Sequence, residues 1–87
     1  MPIDAKIKMR DILIRLVGSD CNYEKDYDLS TKELETIIIK RADVFTKQSI
    51  NNYIHSLIRL NVIRERVHGK IFEVNLKEGE KTLKSLL

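Results

Sequence analysis

The sequence predicts one α+β domain over residues 1–87: a three-helix core, then a two-stranded β-hairpin and a short C-terminal helix. Three observations predict this class. Three segments repeat apolar residues at helical spacing, two short segments rich in Val, Ile and Phe flank a His-Gly pair, and the last residues return to helical spacing. With 87 residues, of which 43% are hydrophobic and 33% charged, the chain can form one packed core.

The first helix is predicted to begin at Asp4, a residue type that caps helices, and to end at Gly18. Its apolar residues, at i, i+3, i+4 and i+7, are Met9, Ile12, Leu13 and Leu16. Residues 19–28 read as an acidic loop with a net charge of −3, and residues 27–29 can add a short strand.

The second helix has a strong start signal. Ser30 and Glu33 have the spacing of a capping box, in which each side chain bonds the other residue's backbone N–H. Leu29 and Leu34 stand on either side as its hydrophobic staple. We expect this helix to end near residues 41–42, followed by a short turn.

The third helix is predicted to be capped by Thr46, and Asn61 can end it because Asn tolerates the left-handed conformation. Ile50, Ile54 and Leu57 share its apolar face. At about 100° per residue, the opposite face carries Gln48, Asn52, His55 and Arg59.

The hairpin is predicted from residues 62–67 and 70–76, with His68-Gly69 as a two-residue turn. That turn predicts three cross-strand pairs: Val67 with Lys70, Glu65 with Phe72, and Ile63 with Val74. Because side chains alternate along a strand, Ile63, Phe72 and Val74 should face the core while Arg64 and Arg66 project to the other face.

The last helix is predicted to open at Glu78 and Gly79. It is too short to be stable alone, so it must pack on the domain or on a second copy. We expect a homodimer through the apolar residues of the terminal helices, which are Ile3, Ile7, Leu83, Leu86 and Leu87. The alternative is that these residues complete the core of the monomer.

Residues 49–63, SINNYIHSLIRLNVI, resemble the recognition helix and following turn of winged helix-turn-helix transcription regulators. The shared pattern is a small hydroxyl residue, aliphatic residues at helical spacing, then leucine, a left-handed residue and two aliphatic residues. Phe45-Thr46 fits the step before that helix, and residues 75–79 resemble the entry to the family's last helix. Asn61 stands where the family usually carries glycine.

The resemblance implies a sequence-specific double-stranded DNA-binding protein that regulates transcription, with helix 46–60 in the major groove. The wing, residues 64–70, is then expected on the DNA backbone or in the minor groove, and the acidic loop away from the DNA. Residues 40–70 carry seven basic and two acidic side chains, the charge that phosphate binding requires. The candidate DNA-binding residues are Lys47, Gln48, Ser49, Asn51, Asn52, His55, Arg59, Arg64, Arg66, His68 and Lys70.

A winged-helix module for protein–protein contacts in a larger nucleic-acid-processing complex is the alternative, favoured by Ile39, Tyr53 and Ile58 as additional apolar residues. Each candidate also has a structural reading, since polar helix faces are often merely solvated and charged residues protect edge strands. Thr46 serves as a cap rather than a base contact.

The sequence predicts no enzyme, because it shows no catalytic arrangement, no glycine-rich phosphate loop, no cofactor motif and no metal-ligand spacing. No apolar run approaches the roughly 18 residues that span a bilayer, and no signal peptide is evident, so we expect an intracellular protein. The single Cys21 forms either a free thiol or an intersubunit disulfide.

Overall fold

Four helices and a three-stranded antiparallel sheet make up residues 3–87, the part of the chain that the computed structural model describes. In chain order they are α1 (Ile3–Val17), β1 (Tyr27–Ser30), α2 (Thr31–Ala42), α3 (Lys47–Arg59), β2 (Ile63–Val67), β3 (Ile71–Val74) and α4 (Leu76–Leu86). The predicted α+β class is confirmed. The sheet has three strands instead of the two of the hairpin, because the optional strand β1 forms and pairs with β3 in the order β1-β3-β2.

The predicted start of α2 is confirmed. Ser30 Oγ accepts a hydrogen bond from the Glu33 backbone N–H at 3.1 Å, and the Ser30 N–H donates to Glu33 Oε1 at 3.2 Å. Together these bonds satisfy two backbone N–H groups that the first turn would otherwise leave without partners. The helix ends at Ala42, and Asp43 adopts the left-handed conformation with φ 54°.

Both ends of α3 also follow the sequence. Thr46 is the N-cap, with its side chain accepting from the Ser49 N–H at 3.2 Å. Asn61 follows the helix with a φ of 63°, in the left-handed region where it was expected. These two residues therefore set where α3 begins and ends.

Two predicted helix starts are wrong. Because α1 already includes Ile3, Asp4 lies within the first turn of the helix and is not its N-cap. The negative charge of Asp4 still interacts favourably with the helix dipole. In α4 the start precedes Glu78 by two residues, because β3 ends at Val74 and leaves Asn75 extended. Asn75 Oδ1 then caps the helix by accepting from the Glu78 N–H at 3.0 Å.

The core forms where α1 packs against α2 and α4, where α2 packs against α3, and where the sheet contacts α2 through β1 and α3 through β2. Ile63, Phe72 and Val74 are buried, as their alternation along the hairpin predicts. The Tyr27 hydroxyl donates to the Leu16 carbonyl at 2.7 Å, and burial raises the pKa of Tyr27 above its ordinary value. Gly79 allows α4 to approach closely, because a Cβ there would overlap the Val17 side chain.

The hairpin register is confirmed for two of the three predicted pairs, Ile63 with Val74 and Glu65 with Phe72. The third is wrong, because Val67 pairs with Ile71 and not with Lys70. Arg66 is an extra residue in β2, a bulge that shifts the register after Glu65. The tip is closed by a bond from the Lys70 N–H to the Val67 carbonyl at 2.9 Å, with Gly69 at φ +69°.

The apolar residues of the terminal helices fall into two groups. Leu83 and Leu86 are partly buried and pack against the core of their own chain. Ile7 and Leu87 are exposed, by 42% and 79% of their surface. The side chain of Ile3 lies outside the described part of the structure. Of the residues expected to form a dimer contact, Ile7 and Leu87 therefore present the most open surface.

Candidate nucleic-acid interface

The exposed face of α3 carries a line of polar side chains. Four of them, at positions i, i+4, i+7 and i+11, lie opposite the buried residues of the helix and are exposed, and we name them the α3 polar stripe: Gln48, Asn52, His55 and Arg59. The first turn of α3 contains no acidic residue. The stripe therefore offers amide groups in the first two turns of α3, close to the helix N-terminus whose N–H groups attract negative charge, and an imidazole and a guanidinium further along the helix.

The other three candidates on α3 are placed differently. Lys47 is exposed on one flank of the stripe, whereas Ser49 and Asn51 are half-buried. The Ser49 hydroxyl accepts a hydrogen bond from Thr46 Oγ1 at 2.8 Å, so the cap already engages it. The structure thus favours Lys47, Gln48 and Asn52 over Ser49 and Asn51 as groups that a ligand could reach.

A cleft of about 390 Å³ separates α3 from the first half of α1. Asn52 and Tyr53 line it from α3, and Lys8 and Met9 from α1. Partial burial raises the pKa of the Tyr53 hydroxyl. Asn52 therefore stands at a boundary, with the polar stripe on one side and this partly apolar cleft on the other.

The arginines of the hairpin are engaged by carboxylates on the same face of the sheet. Arg64 Nε lies 2.6 Å from Glu73 Oε1, and Arg66 Nη1 lies 2.9 Å from Asp28 Oδ2. Both arginine side chains remain open to solvent, by 75% and 52% of their surface. These four side chains have no net charge, so this face of the hairpin is far less positive than the sequence suggested.

We expect the acidic loop to lie away from the DNA, yet Asp28, its last residue, contacts Arg66, one of the candidate DNA-binding residues. The physical reason is the third strand. Because β1 pairs with β3, the neighbour of β2, Asp28 comes to lie on the same face as Arg64 and Arg66. The local sequence gave no sign of this contact, since Asp28 and Arg66 are 38 residues apart.

The hairpin tip is held in place by two sets of contacts. Glu65 Oε2 accepts from the Gly69 N–H at 2.9 Å and lies 3.1 Å from His68 Nδ1. The Thr31 N–H and hydroxyl donate to the carbonyls of Lys70 and Gly69, both at 2.9 Å. The exposed Lys70 has no ion pair among the described residues and is the one cation of residues 64–70 without a nearby carboxylate.

Phe45 is a surface residue to which the sequence assigned only the step before the third helix. It lies just before the Thr46 cap, where an apolar residue often packs against the fourth helical residue, here Ile50, as a hydrophobic staple. Phe45 is nevertheless 77% exposed, while Ile50 is buried. Its aromatic ring therefore contributes little to the core and stands in solvent next to the N-terminus of α3.

Residues 3–87 contain no cluster of three His, Cys, Asp or Glu side chains that could hold a metal ion. Cys21 is half-buried with a free thiol. None of the described helices combines the length and the apolar character needed to cross a membrane.

Three comparisons with known proteins found no match. No protein-family model matches the chain, no curated protein matches its sequence, and no solved structure matches it.

Proposed function

We propose that this chain is a winged helix-turn-helix protein that binds double-stranded DNA in a sequence-specific way and regulates transcription. The observation that carries the proposal is the α3 polar stripe, a line of exposed side chains without a carboxylate that begins in the first turn of α3. In helix-turn-helix proteins this part of the last core helix enters the major groove. The element order observed here, helix, strand, two helices and a hairpin, is compatible with that geometry.

In this proposal α3 supplies the base contacts. Gln48 and Asn52 can each bond N6 and N7 of adenine, and Lys47 can reach O6 and N7 of guanine. His55 and Arg59 lie further along the stripe and contact phosphates. Phe45 provides an apolar surface for a thymine methyl group. The bases that these residues read should therefore be rich in A·T pairs.

The wing, residues 64–70, has a secondary role. Lys70 can bind a phosphate directly, whereas Arg64 and Arg66 must first exchange a carboxylate partner for a phosphate. Exposed ion pairs are worth roughly 0–1 kcal/mol, so this exchange is possible but reduces the gain from each contact. We therefore expect α3, and not the wing, to supply most of the affinity.

Selection of binding sites from a random duplex library tests the proposal directly. The wild-type chain should enrich a consensus, and its affinity should fall with salt by about 0.9 in log–log slope for each phosphate contacted. Asn52→Ala should reduce discrimination at one base pair by about 1–3 kcal/mol while leaving non-specific binding nearly unchanged. Asn22→Ala, an exposed Asn in the loop before β1, is the matched control. Absence of any enriched site would contradict sequence-specific binding.

The role of Phe45 can be tested on the DNA itself. Replacing thymine by uracil at each position of the selected site removes only the methyl group. One such replacement should weaken binding by wild type and have no effect on Phe45→Ala. If no thymine methyl matters to wild type, Phe45 does not read the DNA.

A protein-interaction module is the second candidate, and one observation favours it. Phe45 is 77% exposed, and Val44 beside it lines the cleft between α1 and α3 together with Tyr53. Aromatic residues of this kind are enriched at protein interfaces. Salt-insensitive or undetectable binding to duplex DNA, with Phe45→Ala abolishing a protein contact, would support this candidate over DNA binding.

The proposal includes a homodimer, because one recognition helix reads only a few base pairs and two-fold dimers read two half-sites about one helical turn apart. Ile7 and Leu87 are the exposed apolar residues available for the contact. Leu83 and Leu86, also expected there, already pack on their own chain.

A further inference from the structure

A cleft with a volume of about 520 Å³ lies between Arg15 of α1 and the outer face of α2. Residues of α1, α2 and the end of β1 line it, and none comes from α3, β2 or β3. A ligand in this cleft would leave the α3 polar stripe uncovered. The cleft is therefore separate from the surface assigned to DNA.

The walls of this cleft are cationic. Four basic side chains line it: Arg15 from α1, and Lys32, Lys40 and Arg41 from α2. Glu33 is the one carboxylate of the lining, and the Ser30 N–H already occupies one of its oxygens in the capping box. Arg41 contacts a second carboxylate, Asp20, at 2.8 Å. Two positive charges are left over, and Arg15, Lys32 and Lys40 have no ion pair among residues 3–87.

The lining also contains two apolar residues. These are Leu29 and Ile37, both members of the core, and we call them the floor of the cleft. An apolar floor with a few convergent charged groups is the usual composition of a small-molecule site, and such sites measure about 300–1,000 Å³. A bare inorganic anion would use only the charged wall and leave the floor uncovered.

We propose that this cleft binds a phosphorylated small molecule of nucleotide size. Arg15 and Lys40 hold its phosphate groups from the two sides, since both helices contribute a cation. Leu29 and Ile37 cover its flat organic part. The cations of the cleft select anionic ligands through charge, and the apolar floor distinguishes organic phosphates from inorganic ones.

Calorimetric titration with ATP as the probe tests this site, with tripolyphosphate as the inorganic comparison. Two variants remove the same charge: Arg15→Gln with Lys40→Gln in the cleft, and Lys77→Gln with Lys81→Gln on the exposed surface of α4. Wild type should bind ATP at least about fivefold more tightly than tripolyphosphate, and the cleft variant should lose about tenfold in ATP affinity. The α4 variant should stay within about twofold of wild type.

Methyl NMR locates the ligand independently of affinity. ATP should shift the Leu29 and Ile37 signals, whereas duplex DNA should shift residues of α3. Equal ATP affinity in the two double variants would overturn the site, since binding would then follow net charge alone. Tripolyphosphate binding as tightly as ATP would overturn the organic-phosphate assignment. If duplex DNA shifts the floor signals and loses affinity in the cleft variant, the cleft belongs to the DNA interface and the proposal is wrong.

The cleft variant must keep its fold for this comparison. If its melting temperature falls, the exposed pair Lys32→Gln and Lys40→Gln replaces it, because neither lysine is buried. That pair should also weaken ATP binding more than the α4 variant does. Unchanged ATP affinity in this second pair overturns the proposal as well.

Discussion

Neutralising the two carboxylates on the hairpin face should strengthen DNA binding, although both lie outside the proposed base-reading surface. Asp28→Asn with Glu73→Gln releases Arg66 and Arg64 from their partners and raises the charge of this face from zero to +2. A phosphate about 10 Å away gains about 0.4 kcal/mol for each carboxylate removed in water. The double variant should therefore bind duplex about fourfold more tightly at low salt, and its salt slope should steepen by up to about 1.8. The free energy of unfolding should fall by at most about 1 kcal/mol for each ion pair removed.

Fluorescence anisotropy with a labelled duplex, measured across a salt series, provides the assay. The charge-matched control is Glu24→Gln with Glu80→Gln, two exposed carboxylates outside the hairpin that form no ion pair among the described residues. The gain should fade at physiological salt, where charges more than about 8 Å apart are screened. An unchanged affinity and slope would show that the hairpin does not approach the phosphates. A weaker affinity would show that the carboxylates orient the arginines for binding, which refutes the reasoning.

Three further predictions concern stability and assembly. Gly79→Ala should lower the free energy of unfolding, measured by chemical denaturation, by about 1 kcal/mol, because the new methyl group overlaps the Val17 side chain. This loss should exceed the gain from the better helix propensity of Ala. A more stable variant would contradict this close packing. Since burial raises the pKa of Tyr27, its contribution to stability is complete below about pH 10 and is lost above it, by about 1.4 kcal/mol per pH unit. Tyr27→Phe should be less stable than wild type at neutral pH, and its free energy of unfolding should fall less steeply above pH 10. Parallel pH dependences of the two proteins would argue against this burial. Ile7→Lys with Leu87→Lys should convert a dimer to a monomer in sedimentation equilibrium with an unchanged melting temperature; a wild-type monomer at all concentrations would remove the dimer.

Local sequence was sufficient to predict those helix boundaries that depend on a few neighbouring residues. Ser30 with Glu33 and Thr46 with Ser49 each form their cap within one helical turn, so residue type and spacing are sufficient to place them. Asn61 enters the left-handed region for the same local reason. Helical periodicity likewise placed the α3 polar stripe on the exposed face, because burial of one side of the helix fixes the other.

Contacts between distant segments were decided only by the tertiary structure. Strand β1 brings Asp28 against Arg66 and so removes much of the positive charge that the sequence assigned to the hairpin. The bulge at Arg66 and the cleft that joins Arg15 to Lys40 depend on how strands and helices pack, to which no short motif corresponds. The sequence by itself thus determined which elements form and which face of each is polar. The net charge of each surface depended on partners up to 38 residues away, because Coulomb interactions act through space and take no account of chain order.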